Sequence, residues 1–133
     1  MIGRRIKALG LASVVVLMSA VFLSSCQPVD RNPPPEVSGG DPAAGANDIS
    51  HFGCGGCHVI PGIDGADGTV GPPLTDFGHR GFIAGQLANK PSNLMLWLQD
   101  PKTVEPGTDM PDLGVGPAQA RDIAAYLYTL DDA

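Results

Sequence analysis

The sequence predicts an all-α domain of short helices joined by long loops. Three observations point that way. Ile123, Tyr126, Leu127 and Leu130 repeat at i, i+3, i+4 and i+7, the apolar stripe of an amphipathic helix. No segment alternates apolar and polar residues well enough to be a strand. And 18 glycines and 13 prolines in 133 residues break the chain too often for long regular elements.

The first segment is not part of that domain. Arg4, Arg5 and Lys7 form a basic start, and Ala8 to Leu23 is almost uninterrupted apolar chain ending in Ser24 and Ser25. This is the layout of a secretory signal peptide, placed at 1–25. The apolar stretch is short for a membrane span of about 20 residues; an uncleaved N-terminal anchor is the alternative. Leu23-Ser24-Ser25-Cys26 resembles the bacterial lipobox, whose cleavage leaves a lipid-modified cysteine at the new N-terminus. That use of Cys26 leaves no odd thiol to explain. Resemblance to bacterial lipoproteins further implies that Gln27, rather than Asp, after the cysteine does not mark inner-membrane retention. Residues 26–40 then read as the lipidated Cys26 and a tether, stiffened by Pro33, Pro34 and Pro35 and closed by Gly39 and Gly40. Extended like polyproline, it reaches about 40 Å.

Residues 41–133 form the domain, and its elements follow in order. Asp41 is an N-cap with Pro42 at the first helical position, opening a helix toward Phe52. Pro61 to Pro73 is a Gly/Pro-rich loop without period. Gly81 to Ala88 is expected to form a short helix. Ser92 caps a helix whose Leu94, Trp97 and Leu98 share a face, and Pro101 stops it. Pro117 opens the last helix, which carries the stripe through Leu130.

The chemistry lies in Cys54-Gly55-Gly56-Cys57-His58, since C-x-x-C-H is the attachment signature of a c-type haem. Cysteines three apart on a helical turn project their thiols to one side, where each can add to a haem vinyl group, and His58 can reach the iron. Three other readings stay open: a zinc knuckle, a redox dithiol and an inert pair. Zinc would want further ligands at matching spacing, and no other cysteine lies in the domain. A redox dithiol would be expected in a βαβ pattern, and none is visible.

A sixth ligand is sought next. Met110 stands in Pro106-Gly107-Thr108-Asp109-Met110-Pro111, 52 residues beyond His58. A thioether suits iron, and prolines restrict the loop that would present it. The alternatives are a methionine filling a gap in the core, or a bis-histidine centre using His51 or His79. Met95, inside the Leu94–Leu98 helix, reads as packing, and Met1 and Met18 fall in the signal segment.

Composition agrees with a bound planar cofactor. The whole chain has one tryptophan, two tyrosines and four phenylalanines, few for the core of a domain of about 90 residues, and a large apolar group would supply what is missing. After Cys26 five basic residues stand against 14 acidic ones, a formal −9. That balance argues against nucleic acid and anionic lipid, and for a basic or apolar docking face on a protein partner.

Six pieces occur in a familiar order: C-G-G-C-H-V-I-P-G-I (54–63), V-G-P-P-L (70–74), R-G-F-I-A-G (80–85), N-L-x-x-W-L (93–98), P-G-T-D-M-P (106–111) and I-A-A-Y-L-Y-T-L (123–130). With them the chain from Asp41 onward resembles a bacterial class I (mitochondrial-type) cytochrome c, and is especially similar to those serving, or fused to, haem–copper terminal oxidases. The resemblance implies the small class I fold, about three to five helices with long loops around one covalent haem c. It implies thioethers on Cys54 and Cys57, His58 as proximal and Met110 as distal iron ligand, and a Pro72 carbonyl accepting the proximal Nδ1 proton. Leu74 would pack on the haem face, Trp97 and Arg80 would meet the propionates, and Gly45 would let the first helix cross the last near Ile123 and Tyr126.

Two departures stand out. With Lys90 and Lys102 its only lysines, the domain lacks the lysine-rich docking ring of the mitochondrial members. Asp48 replaces a usual apolar residue, which implies a first helix more exposed or shifted by one residue.

The function so implied is a membrane-tethered, monohaem electron carrier of the respiratory chain, on the periplasmic side of a bacterial cell envelope. It is not itself an enzyme. Its partners would be a terminal oxidase, or an upstream dehydrogenase or cytochrome bc complex, and it takes no small-molecule substrate. The alternatives are a cytochrome subunit accepting electrons from a periplasmic dehydrogenase, and a haem sensor with an open sixth site.

Overall fold

The computed structural model describes residues 35–130. The signal segment, Cys26 and the tether up to Pro34 lie outside the described residues. The chain runs α1 (Pro42–His51), a 3₁₀ turn (Cys54–Gly56), a second 3₁₀ turn (Phe77–His79), β1 (Phe82–Ile83), β2 (Leu87–Ala88), α2 (Pro91–Gln99), α3 (Pro101–Val104) and α4 (Pro117–Leu127). It is the mostly helical, loop-rich class that the pattern predicts.

Helix α1 begins where expected: the Asp41 carboxylate accepts the Ala43 and Ala44 N–H groups at 2.8 and 3.3 Å. It crosses α4 so closely that a Cβ on Gly45 would stand 2.0 Å from the Asp122 carbonyl oxygen. The Asp41 N–H is also held by the Asp122 carboxylate, at 2.9 Å. Ile49, Ile123, Ala120 and Ala124, each at most 1% exposed, fill this crossing and join Leu94 of α2. Asp48 is half-buried.

Several expectations are corrected. The folded part starts ahead of Asp41: Val37 is buried, and Gly40 packs on Ala125 of α4. Residues 35–40 therefore belong to the domain, since an apolar side chain that close to α4 gains more from burial than from solvent. Gly81 to Ala88 contains an antiparallel hairpin, pairing Phe82 with Ala88 and Ile83 with Leu87. Ala84 and Gly85 both take positive φ at its turn, a conformation no helix contains. Helix α2 starts from Lys90 rather than Ser92, because Pro91 is preorganised for the first helical position. Pro101 does follow the end of α2, yet it also opens α3 under an Asp100 cap. The last helix stops at Leu127, so Leu130 lies beyond it, where its carbonyl accepts the Gly78 N–H at 3.2 Å.

Candidate functional site

One cavity of about 410 Å³ opens between these elements, within the size range of cofactor sites. Its wall is mainly apolar, with Ile49, Leu74, Phe77, Ile83, Leu94, Trp97, Leu98 and Leu127 contributed by every helix except α3, by the hairpin and by the long loops. No helix among the described residues is long and apolar enough to cross a membrane.

Cys54, Cys57 and His58 all line it. The 3₁₀ turn makes this possible, because side chains at i and i+3 eclipse on such a turn. The Cys57 and His58 N–H groups both close on the Cys54 carbonyl, at 3.2 and 3.1 Å. The thiols are free rather than joined. Burial, the largest influence, pushes the Cys54 thiol up, against a smaller opposing backbone hydrogen bond. A redox dithiol needs the reverse, a thiol lowered toward its thiolate. Among the described residues no group of three or more His, Cys, Asp and Glu is placed to hold a metal ion, which removes the support for a zinc knuckle.

His58 Nδ1 lies 2.7 Å from the Pro72 carbonyl oxygen. A carbonyl can only accept, so the proton sits on Nδ1 and Nε2 keeps its lone pair for a metal. Gly71 presses on the same ring, where a Cβ would stand 2.3 to 2.9 Å from three imidazole atoms. The motif's own backbone is packed as tightly. A Cβ on Gly55 would meet Ala66 at 2.7 Å, and one on Gly68 would meet the Gly56 carbonyl at 2.4 Å. The Gly68 N–H bonds the Gly55 carbonyl at 3.0 Å, and Val59 bridges Asp67. Nothing in the sequence marks Gly55, Gly68 or Gly71 as packed so closely.

Met110 lines the same cavity, half-buried against the core. So do Pro72, Leu74, Arg80 and Trp97. Arg80 is already engaged: its Nη2 donates to the Thr75 carbonyl at 2.9 Å and to the Pro73 carbonyl, with the guanidinium 5.5 Å above the Phe77 ring. His51, His79 and Met95 do not line the cavity. His51 lies edge-on to Phe52, and His79 Nδ1 stands 3.0 Å from the Asp76 carboxylate. Tyr126, on α4, donates its hydroxyl to the Pro61 carbonyl at 2.6 Å and so pins the loop that follows His58.

Two thiols on one turn, an imidazole with Nε2 available, a thioether and an apolar chamber form a donor set that fits haem c. Comparison with known families agrees, for residues 43–131 match the cytochrome c family model. The chain belongs to the cytochrome c family. This cytochrome is 43% identical over 80 residues to "Cytochrome c oxidase subunit 2" of Alkalihalophilus pseudofirmus, a match covering 58% of the chain and 22% of the relative. Against the protein of the same name from Bacillus sp. (strain PS3) it is 41% identical over 73 residues, covering 53% and 20%. The cytochrome thus spans about a fifth of the length of these relatives.

Proposed function

We propose that this chain is a membrane-tethered, single-haem electron relay of a bacterial cell envelope, working in the respiratory chain and passing electrons toward a terminal oxidase. The observation that carries the reading is the convergence of Cys54, Cys57, His58 and Met110 on one apolar cavity. Haem c, when bound, supplies a reversible one-electron Fe(III)/Fe(II) couple. Cys54 and Cys57 would hold it covalently, and His58 and Met110 would be its two iron ligands. The Pro72 carbonyl keeps the His58 proton on Nδ1 and makes Nε2 a stronger donor. Pairing a thioether with an imidazole raises the reduction potential. Filling both ligand positions leaves no place on iron for a substrate, so the chain relays electrons and does not catalyse. Leu74, Leu94 and Leu98 give the chamber an apolar wall.

The oxidase as partner rests on the likeness to two proteins named as oxidase subunits. The acidic balance after Cys26 calls for a basic or apolar face on that partner. The tether and the periplasmic side of the envelope rest on the signal layout and on Cys26.

The test is an absorption spectrum of the membrane-extracted protein, oxidised and reduced, with and without CO. Covalent low-spin haem with a methionine–iron charge-transfer band, unmoved by CO, is the expected result. Met110→Ala should keep the haem attached, lose the band and bind CO. Ready CO binding by the unaltered protein would instead make it a sensor, and reduction by a co-purifying dehydrogenase would make it that enzyme's subunit. Reduced protein that is oxidised no faster when purified oxidase is added would end the oxidase assignment. Mass spectrometry of Cys26 for an attached diacylglyceryl group tests the tether.

A further inference from the structure

The loop that carries Met110 has no regular structure, yet it is tied to the rest of the fold by a short chain of polar contacts centred on Glu105. Glu105 is half-buried and lines the cavity. Its Oε1 accepts the Gly107 N–H at 3.2 Å, and its carbonyl accepts the Thr108 N–H at 3.0 Å. Thr108 Oγ1 then accepts the Met110 N–H at 3.1 Å. The other carboxylate oxygen of Glu105, Oε2, accepts from Gln86 Nε2. Gln86 follows directly on the hairpin turn, with its N–H on the Ile83 carbonyl at 3.0 Å.

That hairpin is firmly rooted. Ile83 is 3% exposed. Asn89, just after β2, binds the Gly81 carbonyl through its N–H at 3.0 Å and the Phe77 carbonyl through Nδ2 at 2.9 Å. Its Oδ1 accepts the Tyr128 hydroxyl at 2.8 Å, and Tyr128 is buried at the end of α4. From α4 to the Met110 backbone the path is therefore continuous, and Glu105 is its one link between hairpin and loop among the described residues. Lys102, donating to the Thr108 carbonyl, ties the loop to α3 on the other side. Pro106 and Pro111 stiffen the loop but set no direction for it.

We infer that Glu105 is a positioning residue whose carboxylate clamps loop 105–111 to the hairpin and so holds Met110 where it can bind iron. The inference rests on Met110 being the iron ligand. An acceptor with two oxygens is what the place requires, since one serves the loop and the other the hairpin, and hydrogen bonds to a carboxylate are stronger than neutral ones. Glutamine retains one acceptor oxygen, and the amide of Gln86 can rotate to meet its new NH₂ group. Alanine removes both links at once.

The experiment uses the haem-loaded protein and two readouts, the methionine–iron charge-transfer band when oxidised and CO binding when reduced. Glu105→Ala should weaken the band and raise CO binding by roughly tenfold, the scale of one or two lost hydrogen bonds, with covalent haem unchanged. Glu105→Gln should keep most of the band. Gln86→Ala should fall between them, and the double variant Gln86→Ala/Glu105→Ala should be no worse than Glu105→Ala, because both belong to one path. Asp112→Ala is the control, losing only the 2.9 Å bond from the Gly114 N–H, and should leave both readouts in place. A Glu105→Ala protein with the full band and no added CO binding overturns the clamp. So does an Asp112→Ala protein that matches Glu105→Ala, since any loosening of the loop would then suffice. If Met110→Ala keeps the band, the ligand assignment itself fails, a result visible without any Glu105 variant, and the clamp falls with it.

Discussion

The His58 segment and the Met110 loop face one cavity, but different forces hold them. Around His58 backbone packs on backbone, Gly68 against the Gly56 carbonyl and Gly55 against Ala66, while Gly71 packs against the imidazole ring. Around Met110 the contacts are polar and reach from side chains, Glu105 to Gln86, Lys102 to Thr108, Thr108 to the Met110 N–H. Steric contacts between backbones have almost no give, whereas hydrogen bonds to side chains can be lengthened, traded or lost one at a time. One side of the site is built to be invariant and the other to be adjustable.

The sharpest way to break that contrast is within the motif. Gly68→Ala places a Cβ 2.4 Å from the Gly56 carbonyl, and neither backbone can withdraw. It should cost about 3 kcal/mol of unfolding free energy and depress the yield of haem-bearing protein. Gly56→Ala, whose Cβ meets nothing within 4 Å, should change stability by less than about 0.5 kcal/mol. Equal effects in a denaturant titration would refute the steric account of the proximal side.

A smaller effect is expected where the neighbour is a side chain. The Cβ of Gly71→Ala would stand 2.3 Å from His58 Cε1, and the ring can move at the expense of its bond to Pro72. About 2 kcal/mol is expected in the same titration. Loss of haem attachment should not accompany it, since the cysteines are not displaced.

The smallest effect sharpens the distal half. The Asp100 carboxylate caps α3, which leads into the Met110 loop, by accepting the Thr103 hydroxyl at 2.6 Å and the Thr103 N–H at 3.0 Å. The hydroxyl bond first, and the N–H bond second, hold its pKa below the ordinary 3.8. Because the folded pKa is the lower one, the unfolded chain binds the proton first, and stability falls as pH drops below 3.8. Asp100→Asn should flatten that part of the pH–stability curve. An unchanged slope would show that acid acts elsewhere.

Much of this was legible in the residues. The C-x-x-C-H spacing points to haem attachment, because it sets two thiols on one turn with an imidazole beside them. Asp41-Pro42 declares a helix start, and the Asp41 cap bonds are there. Ile123 and Leu127 declare the buried face of α4, at 1% and 3% exposure. The hairpin was not legible. Phe82 and Ile83 are too short a run to show a period of two, and Ala84 carries no sign that it will take a φ of +50°. Nor was Val37 legible as core, standing after three prolines in what composition makes a tether.

What the sequence by itself determined is the local chemistry: helix caps, apolar stripes, the attachment spacing and a methionine between prolines. These depend on neighbours within a turn or two, and so can be read in one dimension. Only the tertiary structure decided what stands against what. That Gly68 lies under Gly56, that Gly71 touches His58, and that Glu105 meets Gln86 are contacts between segments far apart along the chain. They exist because burying the α1, α2 and α4 faces together brings those loops around one cavity, and no local preference of either partner encodes the meeting.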